Sequence, residues 1–159
     1  MRRNDREITE RGEIDAILSR ETVCRIAFAV DGKPYMVPLS YGFDAFEDAL
    51  IIHTAQSGRK IDCITANPYV CFEIEGRYEI RPGDRHACTW GAAYESVIGY
   101  GAFEEIRDVD GKRTALTYLM RQQAGEDVDW AFPEGSLAAT RVWRLRIESV
   151  TGKRSASSE

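Results

Sequence analysis

The sequence predicts a mainly β domain of the α+β class, with six or so mostly antiparallel strands and two or three peripheral helices. Two observations lead to this prediction. Most apolar segments alternate with a period of two, and short turns rich in glycine and proline separate them. Strands joined in this way are typical of a barrel or a sandwich rather than of an α/β sheet. The length of 159 residues and the absence of a repeat or linker predict a single domain over 1–159, with 155–159 as a loose tail.

The composition is that of a globular protein without nucleic-acid or membrane partners. Hydrophobic residues make up 43% of the chain, and 26 acidic residues against 21 basic ones give a net charge of −5. This balance disfavours nucleic acid, because such binding depends on cations that contact phosphate. No apolar run is long enough for a membrane helix and no secretory signal is found, so we expect a cytoplasmic protein. The four cysteines form no CxxC pair and are expected to be reduced.

The N-terminal half contains four predicted strands and two predicted helices. The elements are a helix from Asn4 or Asp5 to about residue 18, strands over 23–30, 35–41, 49–54 and 69–75, a turn over 43–48, and a short helix from Ser57 to Asn67-Pro68. The strands alternate apolar with other residues, whereas the helices carry apolar residues three and four apart. Asp31-Gly32 is a typical two-residue hairpin turn. Pro38 lacks a backbone N–H group, so its strand is expected to have one unpaired side.

The C-terminal half contains longer strands and another helix. The elements are a loop over 79–85, one or two strands over 87–106 with a bend near Gly99 and Gly101, a helix over 111–124, a loop over 127–136 and a last strand over 140–150. Proline and glycine indicate the loop, and two glycines within one strand indicate a bend or a close backbone approach. Val142, Leu145 and Ile147 are the apolar anchors of the last strand.

The segment 53–63, with the sequence HTAQSGRKIDC, carries the clearest chemical signal. A strand ends there, a loop of small residues follows, and Arg59 and Lys60 fall in the first turn of a helix. Cations are unfavourable at the positive end of the helix dipole unless an anion lies between them. The pattern therefore predicts a phosphate pocket formed by helix N–H groups, both cations and the hydroxyl groups of Thr54 and Ser57. The alternative is an ordinary solvated surface; a nucleotide-binding P-loop is disfavoured because its GxxxxGK[ST] spacing is absent.

A series of segments along the chain resembles a known family. The segments are Arg3–Ile8, YMVPLSYG over 35–42, IHTAQSGRK over 52–60, NPYVCFE over 67–73, ESVIGYG over 95–101 and TGK over 151–153. Their order and spacing are similar to those of the flavin-binding split β-barrels related to pyridoxamine 5′-phosphate oxidase, and most similar to the nitroimidazole-resistance (Nim) branch. The resemblance extends from residue 3 to about residue 154 and implies a split β-barrel fold.

This resemblance implies a site for flavin mononucleotide (FMN). Arg59 and Lys60 would hold the FMN phosphate. Ser57 and Gly58 would supply loop contacts. The other implied contacts are Pro38, Leu39, Ser40 and Tyr41 along the flavin ring, His53, Thr54 and Ala55 beside the ring or ribityl chain, and Glu95, Ser96 and Val97 from the partner chain of a homodimer with flavin at the subunit interface. His53 is also the candidate catalytic residue, as a proton donor. Further candidate contacts are Tyr94, Trp143 and Lys153.

The function implied by the resemblance is that of an FMN-dependent oxidoreductase. It would take electrons from transiently bound NAD(P)H or another donor and pass them to a small-molecule acceptor such as a nitroaromatic compound. No GxGxxG motif is present, so we expect no resident nicotinamide domain.

Several alternatives remain open at the level of sequence. The protein could be a non-catalytic module that binds or senses flavin or haem, with His53 or His86 as an axial haem ligand. FAD could replace FMN, or the barrel could bind no cofactor. Pyridoxamine phosphate oxidase activity is disfavoured, because the extra basic residues and C-terminal Arg/Trp segment of those enzymes are missing. His86 and Cys88 lack further ligands for a metal, so no metal site is predicted.

Overall fold

The computed structural model describes residues 4–126 and 128–155, and eight strands of this part form one antiparallel sheet. The strands are β1 Glu7–Ile8, β2 Val23–Val30, β3 Lys33–Ser40, β4 Gly42–Asp44, β5 Ala49–Thr54, β6 Tyr69–Arg81, β7 Gly91–Ile106 and β8 Arg141–Ser155. The helices are α1 Arg11–Arg20, α2 Arg59–Ala66, α3 Val109–Ala124 and α4 Glu134–Ala139, with 3-10 turns at Asn4–Arg6 and Ala87–Thr89. None of these helices is long and apolar enough to cross a membrane.

The sheet is a split barrel, as predicted. Its strand order is β3-β2-β6-β7-β8-β5-β4, and β1 pairs with β8 outside this path. The end strands β3 and β4 do not pair with each other, so the barrel is open along one side. The main core lies inside the curve of the sheet and is closed by α1 and α2. A second, smaller core joins α3 and α4 to β5 and β8.

The β2–β3 hairpin forms where the sequence predicted it. Its two turn residues adopt left-handed backbone angles, with φ of 51° at Asp31 and 71° at Gly32. These angles match the twist of antiparallel strands. The pairing is unbroken from Val30–Lys33 to Val23–Ser40. Among the described strands β3 has no second neighbour, so the unpaired side predicted from Pro38 is confirmed.

The N-terminal segment differs from the predicted helix. Residues 4–6 form a 3-10 turn, Glu7 and Ile8 pair with Lys153 and Gly152, and α1 begins only at Arg11. The Ile8 side chain is buried against the core. Pairing with β8 therefore overrides the local helical pattern, because it buries an apolar side chain that a solvent-facing first turn would expose.

Other boundaries also differ from the predictions. β6 continues through Arg81, which pairs with Gly91, so the loop expected over 79–85 begins later. α4 occupies part of the loop expected over 127–136, and β4 occupies part of the turn expected over 43–48. β8 extends to Ser155, which is buried; the rest of the predicted tail lies outside the described residues. In each case long-range pairing or packing adds order that local sequence patterns do not encode.

The bend predicted near Gly99 and Gly101 coincides with an irregularity in the pairing of β7 with β8, between Tyr100 and Gly101. A Cβ atom at Gly101 would overlap the carbonyl oxygen of Arg146, and one at Gly99 would overlap the Phe72 ring. Both positions therefore require glycine because of close approach by a neighbouring strand or ring.

Candidate functional site

A cavity of about 160 Å³ lies where β5 ends and α2 begins. Its lining residues are Tyr35, Thr54, Ala55, Ser57, Gly58, Arg59, Lys60 and Ile61. The structure thus brings together the predicted phosphate loop and both cations. It adds Tyr35, which comes from the edge strand β3.

The first turn of α2 presents unused hydrogen-bond donors to this cavity. The Gly58 carbonyl accepts the N–H groups of Ile61 and Asp62, so the N–H groups of Arg59 and Lys60 have no acceptor inside the helix. No side chain caps this helix end. Gly58 has φ of 124°, a conformation that other residues rarely adopt. The loop can therefore turn into the helix here without a side chain covering the free N–H groups.

The two cations of the pocket have no acidic partner. Neither Arg59 nor Lys60 has a carboxylate oxygen within 4 Å in the described part of the chain. Asp62, also in the first turn of α2, is exposed and forms no ion pair with either. By contrast, arginines elsewhere in the sheet, such as Arg25 and Arg141, are paired with glutamates. The pocket therefore has positive charge that an anion would neutralise.

Tyr35 holds one of these cations in place. The guanidinium carbon of Arg59 lies 4.0 Å from the centre of the Tyr35 ring, which is the geometry of a cation–π contact. The Tyr35 ring in turn stacks on Phe28 of the core, with ring centres 5.8 Å apart. Sequence reasoning did not assign Tyr35 to the pocket. The alternation of β3 shows which face it occupies, but nothing local shows that α2 lies above it.

Thr54 has a different role from the predicted one. Its hydroxyl oxygen accepts a hydrogen bond from Trp143 Nε1 at 3.0 Å and donates to the Ala55 carbonyl at 2.9 Å. A hydroxyl group carries one proton, so Thr54 has none left to donate to a phosphate. Arg141 lies 4.5 Å above the Trp143 ring. Thr54 therefore fastens the loop to β8, and the Ser57 hydroxyl is the one that remains exposed beside the cavity.

The β3 residues predicted to lie along a flavin ring divide between two environments. Pro38 and Ser40 are exposed on one face, and Leu39 is half-buried against the core on the other. The Tyr41 side chain is fully buried, and its hydroxyl donates to the Leu18 carbonyl at 2.7 Å. Its backbone N–H donates to the Thr22 carbonyl and its carbonyl accepts from the Gln123 amide, so both main-chain groups of Tyr41 also have partners.

The structure does not bring His53 into the pocket. Along β5, Leu50, Ile52 and Thr54 face the main core, and His53 projects from the opposite face into solvent. Successive side chains of a strand point to opposite faces, so His53 and Thr54 cannot both line this cavity.

The three predicted partner-chain residues on β7 also alternate. Val97 is buried in the core, and Ser96 is half-buried on the outer face of the sheet. Glu95 forms ion pairs with Arg20 at 2.8 Å and Arg154 at 2.7 Å. Partial burial acts to raise the pKa of Glu95, but these two arginines outweigh it and hold that pKa below its usual 4.5. Only Ser96 is therefore free to contact a ligand through its side chain, and it lies outside the pocket of its own chain.

The second histidine lies at the tip of the β6–β7 hairpin. His86 Nδ1 is 3.0 Å from an oxygen of Asp84, and the ring is otherwise exposed. Within the described residues, no cluster of His, Cys, Asp and Glu side chains could hold a metal ion. The four cysteines are free thiols: Cys24 and Cys63 are buried, Cys71 is half-buried and Cys88 is exposed.

A sequence model of one family matches residues 10–154, nearly the whole chain, and its description is "Pyridoxamine 5′-phosphate oxidase". The chain belongs to the pyridoxamine 5′-phosphate oxidase family. The name describes a fold and a lineage, and members of one fold can differ in substrate and chemistry. No curated protein matches this chain.

Solved structures of similar proteins agree with the family assignment. A Bacteroides thetaiotaomicron protein named for 5-nitroimidazole antibiotic resistance is 25% identical with a TM-score of 0.81, over 93% of this chain and 86% of that one. A FAD-binding protein from Mesorhizobium loti is 27% identical with a TM-score of 0.69, over 95% and 98% of the two chains. A FAD- and haem-binding protein from Mycobacterium smegmatis, 23% identical, has the same fold with a TM-score of 0.81, over 96% and 74%.

Proposed function

We propose that this family member binds FMN, with the FMN phosphate in the pocket of Arg59 and Lys60, and acts as an oxidoreductase on small acceptors. The observation that carries the proposal is the pair of cations without acidic partners beside two free N–H groups at the start of α2. These are the donors that a phosphate binds at helix N-termini. The similar proteins named for flavin binding support a flavin as the source of that phosphate.

Charge favours FMN over FAD in this pocket. The terminal phosphate monoester of FMN carries close to two negative charges at neutral pH, because its second pKa is about 6. Each phosphate in the diphosphate of FAD carries one. Two cations and two N–H groups around one cavity of about 160 Å³ suit a single dianionic group. The rest of the ligand would extend from this cavity along the edge strand β3.

The bound flavin would supply reversible two-electron chemistry, and the protein would supply binding and orientation. Arg59, Lys60 and the free N–H groups would fix the phosphate. Backbone groups on the unpaired side of β3 would be available to the polar edge of the ring. The similar structure named for nitroimidazole resistance supports a nitroaromatic acceptor. A nicotinamide nucleotide that binds transiently would serve as the electron donor.

We further propose that two copies of the chain associate to complete this site. One outward face of the sheet exposes five large apolar side chains, which are those of Val23, Met36, Tyr69, Ile98 and Tyr100. Monomeric proteins rarely expose so much apolar surface on one contiguous face. On the same face Arg25 is paired with Glu73 and Glu75, so a second copy would meet little unpaired charge. Ser96 lies there too, where it could reach the flavin of the second copy.

The first test of the proposal is to identify and then titrate the cofactor. The absorbance spectrum of the purified protein and chromatography of the heat-released ligand identify it. The flavin-free protein is then titrated with FMN, FAD and riboflavin. We expect FMN to bind most tightly and riboflavin at least about 100-fold more weakly, because it lacks the phosphate contacts. Equal affinity for FMN and riboflavin would contradict the assignment of the phosphate pocket.

A variant tests the two cations directly. The double substitution Arg59→Gln/Lys60→Gln should weaken FMN binding by about 100-fold, equivalent to ~3 kcal/mol, with little effect on riboflavin. The control Arg77→Gln/Arg85→Gln removes the same charge from exposed positions of the β6–β7 hairpin and should leave FMN affinity unchanged. Unchanged FMN affinity in the Arg59→Gln/Lys60→Gln variant would contradict the assignment of the phosphate to this pocket.

Turnover is tested separately from binding. Anaerobic mixing with NADPH or NADH should bleach the flavin absorbance, and a nitroaromatic compound should restore it. Flavin that binds tightly but is not reduced would favour a storage or sensing module instead. A haem band in the purified protein would favour haem binding, with His86 as the candidate ligand because Asp84 already orients its ring.

A further inference from the structure

A second cavity, of about 420 Å³, lies between α3 and α4, and we call it the α3–α4 cavity. Its lining residues are Arg107, Val109, Lys112, Glu134, Leu137 and Ala138. None of them lines the pocket at the start of α2, and none is among the flavin contacts that the family resemblance implies. The volume is within the range of sites that bind small organic molecules.

One part of the lining is apolar. Leu137 is buried and belongs to the smaller core, whereas Val109 in the first turn of α3 is 52% exposed. Ala138 has a small side chain, which leaves room beside them. An apolar ligand that covers Val109 removes exposed apolar surface from water, and this favours its binding.

Lys112 presents a positive charge that is held in place but not neutralised. Its ammonium group donates to the carbonyl oxygens of Leu137 at 3.0 Å and Thr140 at 2.8 Å. An ammonium group has three protons, so one remains for a ligand. No carboxylate oxygen lies within 4 Å of this group in the described part of the chain. The two carbonyls therefore fix the direction in which Lys112 can bind an anion.

Arg107 adds a second cation to the lining. Its Nε atom donates to Glu105 at 3.2 Å, which leaves the terminal amino groups of Arg107 available. Glu105 is shared with Arg141, and Asp108 caps α3 by accepting the Gly111 N–H group at 2.6 Å. Neither of these acidic residues lines the cavity. Both cations of the lining therefore keep donors for the carboxylate of a ligand.

The opposite charges of the lining do not neutralise each other. Glu134, at the start of α4, lines the same cavity as Arg107 and Lys112. Among the described residues its carboxylate has no ion-pair partner, so it lies more than 4 Å from both cations. A ligand that carries a charge of each sign can bridge such groups, because each of its ends then meets an opposite charge.

We propose that the α3–α4 cavity binds a free α-amino acid with an apolar side chain. Lys112 and Arg107 bind its carboxylate, and Glu134 binds its ammonium group. Val109 and Leu137 contact its side chain. This ligand class uses every charged group of the lining, which an apolar acid or an amine alone does not. The inference does not depend on flavin binding.

The α3–α4 cavity is close to the loop of the α2 pocket. Gln56 of that loop donates from Nε2 to the Ala138 carbonyl at 2.9 Å, and Ala138 also lines the α3–α4 cavity. The experiment must therefore separate binding at the two places.

The test titrates the intact protein, purified with any cofactor that it retains, with L-leucine. Amide NMR spectra follow the binding, and the assigned signals of Val109 and Ala138 report on the cavity. We expect saturable shifts at both residues. The absence of a saturable shift at these residues overturns the proposal.

Three analogues test the ligand class. Isocaproate lacks the ammonium group of leucine, isoamylamine lacks its carboxylate, and glycine lacks its side chain. Each should bind at least about tenfold more weakly than leucine, because each leaves one part of the lining without a counterpart. An analogue that binds as tightly as leucine overturns the proposal, because the group it lacks then takes no part in recognition.

Two variants with matched controls locate the site. Glu134→Gln should weaken leucine at least about tenfold and leave isocaproate unchanged. Glu148→Gln removes the same charge from an exposed position outside the cavity and should change neither. Ala138→Leu fills the cavity and should abolish leucine binding. Ala139→Leu adds the same side chain to the exposed neighbour outside the lining and should leave leucine binding intact.

The melting temperature of each variant shows whether the fold is retained. Equal effects of Ala138→Leu and Ala139→Leu would overturn the proposal. Arg59→Gln/Lys60→Gln should leave the leucine titration unchanged. Loss of leucine binding in that variant alone would mean that leucine binds at α2 and would also overturn the proposal, whatever the outcome of the flavin experiments.

Discussion

The guanidinium group of Arg59 lies over the ring of Tyr35, with its central carbon 4.0 Å from the ring centre. This contact joins the first turn of α2 to the edge strand β3. It also fixes a long, flexible side chain that would otherwise sample many rotamers in solvent. A cation held in place before the ligand arrives loses less entropy on binding, so the contact favours anion affinity without touching the anion.

Tyr35 should therefore influence ligand binding through Arg59. We expect Tyr35→Leu to weaken FMN binding several-fold, whereas Tyr35→Phe retains the ring and should bind nearly as the parent does. A double-mutant cycle of Tyr35→Leu with Arg59→Met should give a coupling of about 0.5–2 kcal/mol, the range of cation–π contacts. The cycle is measured by fluorescence titration of FMN. Additive effects of the two substitutions would show that Tyr35 acts independently of Arg59.

Trp143→Phe should destabilise the fold. The substitution removes the indole donor, so the buried Thr54 hydroxyl oxygen keeps its bond to Ala55 but accepts none. A buried polar atom left in this way costs about 1–3 kcal/mol. The comparison is Trp90→Phe, whose indole also donates a hydrogen bond but is 52% exposed, so water can replace the bond. Urea unfolding measures both, and equal losses of stability would contradict the role given to the Thr54 contact.

Gly101→Ala should be among the most disruptive single changes in the chain. Its Cβ atom would overlap the backbone of Arg146, and backbone atoms of a paired strand cannot move aside cheaply. We expect a loss of more than about 3 kcal/mol in the free energy of unfolding, or failure to fold. Gly91→Ala is the control, because its Cβ meets nothing within 4 Å. Thermal unfolding compares the two. A tolerated Gly101→Ala would contradict the close approach of β8 to β7 at this residue.

The stability of the protein should depend on Glu95 at acidic pH. Arg20 and Arg154 hold the pKa of Glu95 below 4.5 in the folded chain. A lowered folded-state pKa contributes stability that is fully present above pH 4.5 and is lost as the pH falls through the lower value. Glu95→Gln should therefore be less stable than the parent at neutral pH, and the difference should shrink below pH 4.5. Urea unfolding from pH 7 to pH 3 measures it.

Glu148→Gln serves as the control for this pH series, because Glu148 is exposed and forms no ion pair in the described structure. Its stability should follow that of the parent at every pH. A constant difference between Glu95→Gln and the parent across the series would show that the two ion pairs do not set the acid sensitivity.

Local patterns in the sequence were sufficient for part of the fold. The β2–β3 hairpin was predictable because Asp31-Gly32 determines its turn and alternation determines its faces. The cavity at the start of α2 was predictable for a similar reason: one continuous segment supplies the loop, the helix start and both cations that line it. The edge position of β3 followed from the missing N–H group of Pro38.

The rest depends on residues that are distant in sequence. The pairing of β1 with β8 could not be inferred from Glu7 and Ile8 alone, because their partners lie at the far end of the chain. The place of Tyr35 beneath Arg59 depends on how α2 packs against the sheet. The bond from Trp143 to Thr54 joins two strands that no local pattern links. The opposite orientations of His53 and Thr54 follow from strand alternation.

The contact between Thr54 and Trp143 has a consequence for how the protein is made. The two residues are 89 positions apart in sequence, so the loop of the pocket is synthesised long before the strand that anchors it. A contact of this range forms late, because a long stretch of chain must first be ordered. A growing chain that does not yet include β8 therefore carries the loop at α2 without its anchor. A ligand that requires the anchored loop would bind only the finished chain, and by mass action it would then raise the free energy of unfolding of the whole sheet.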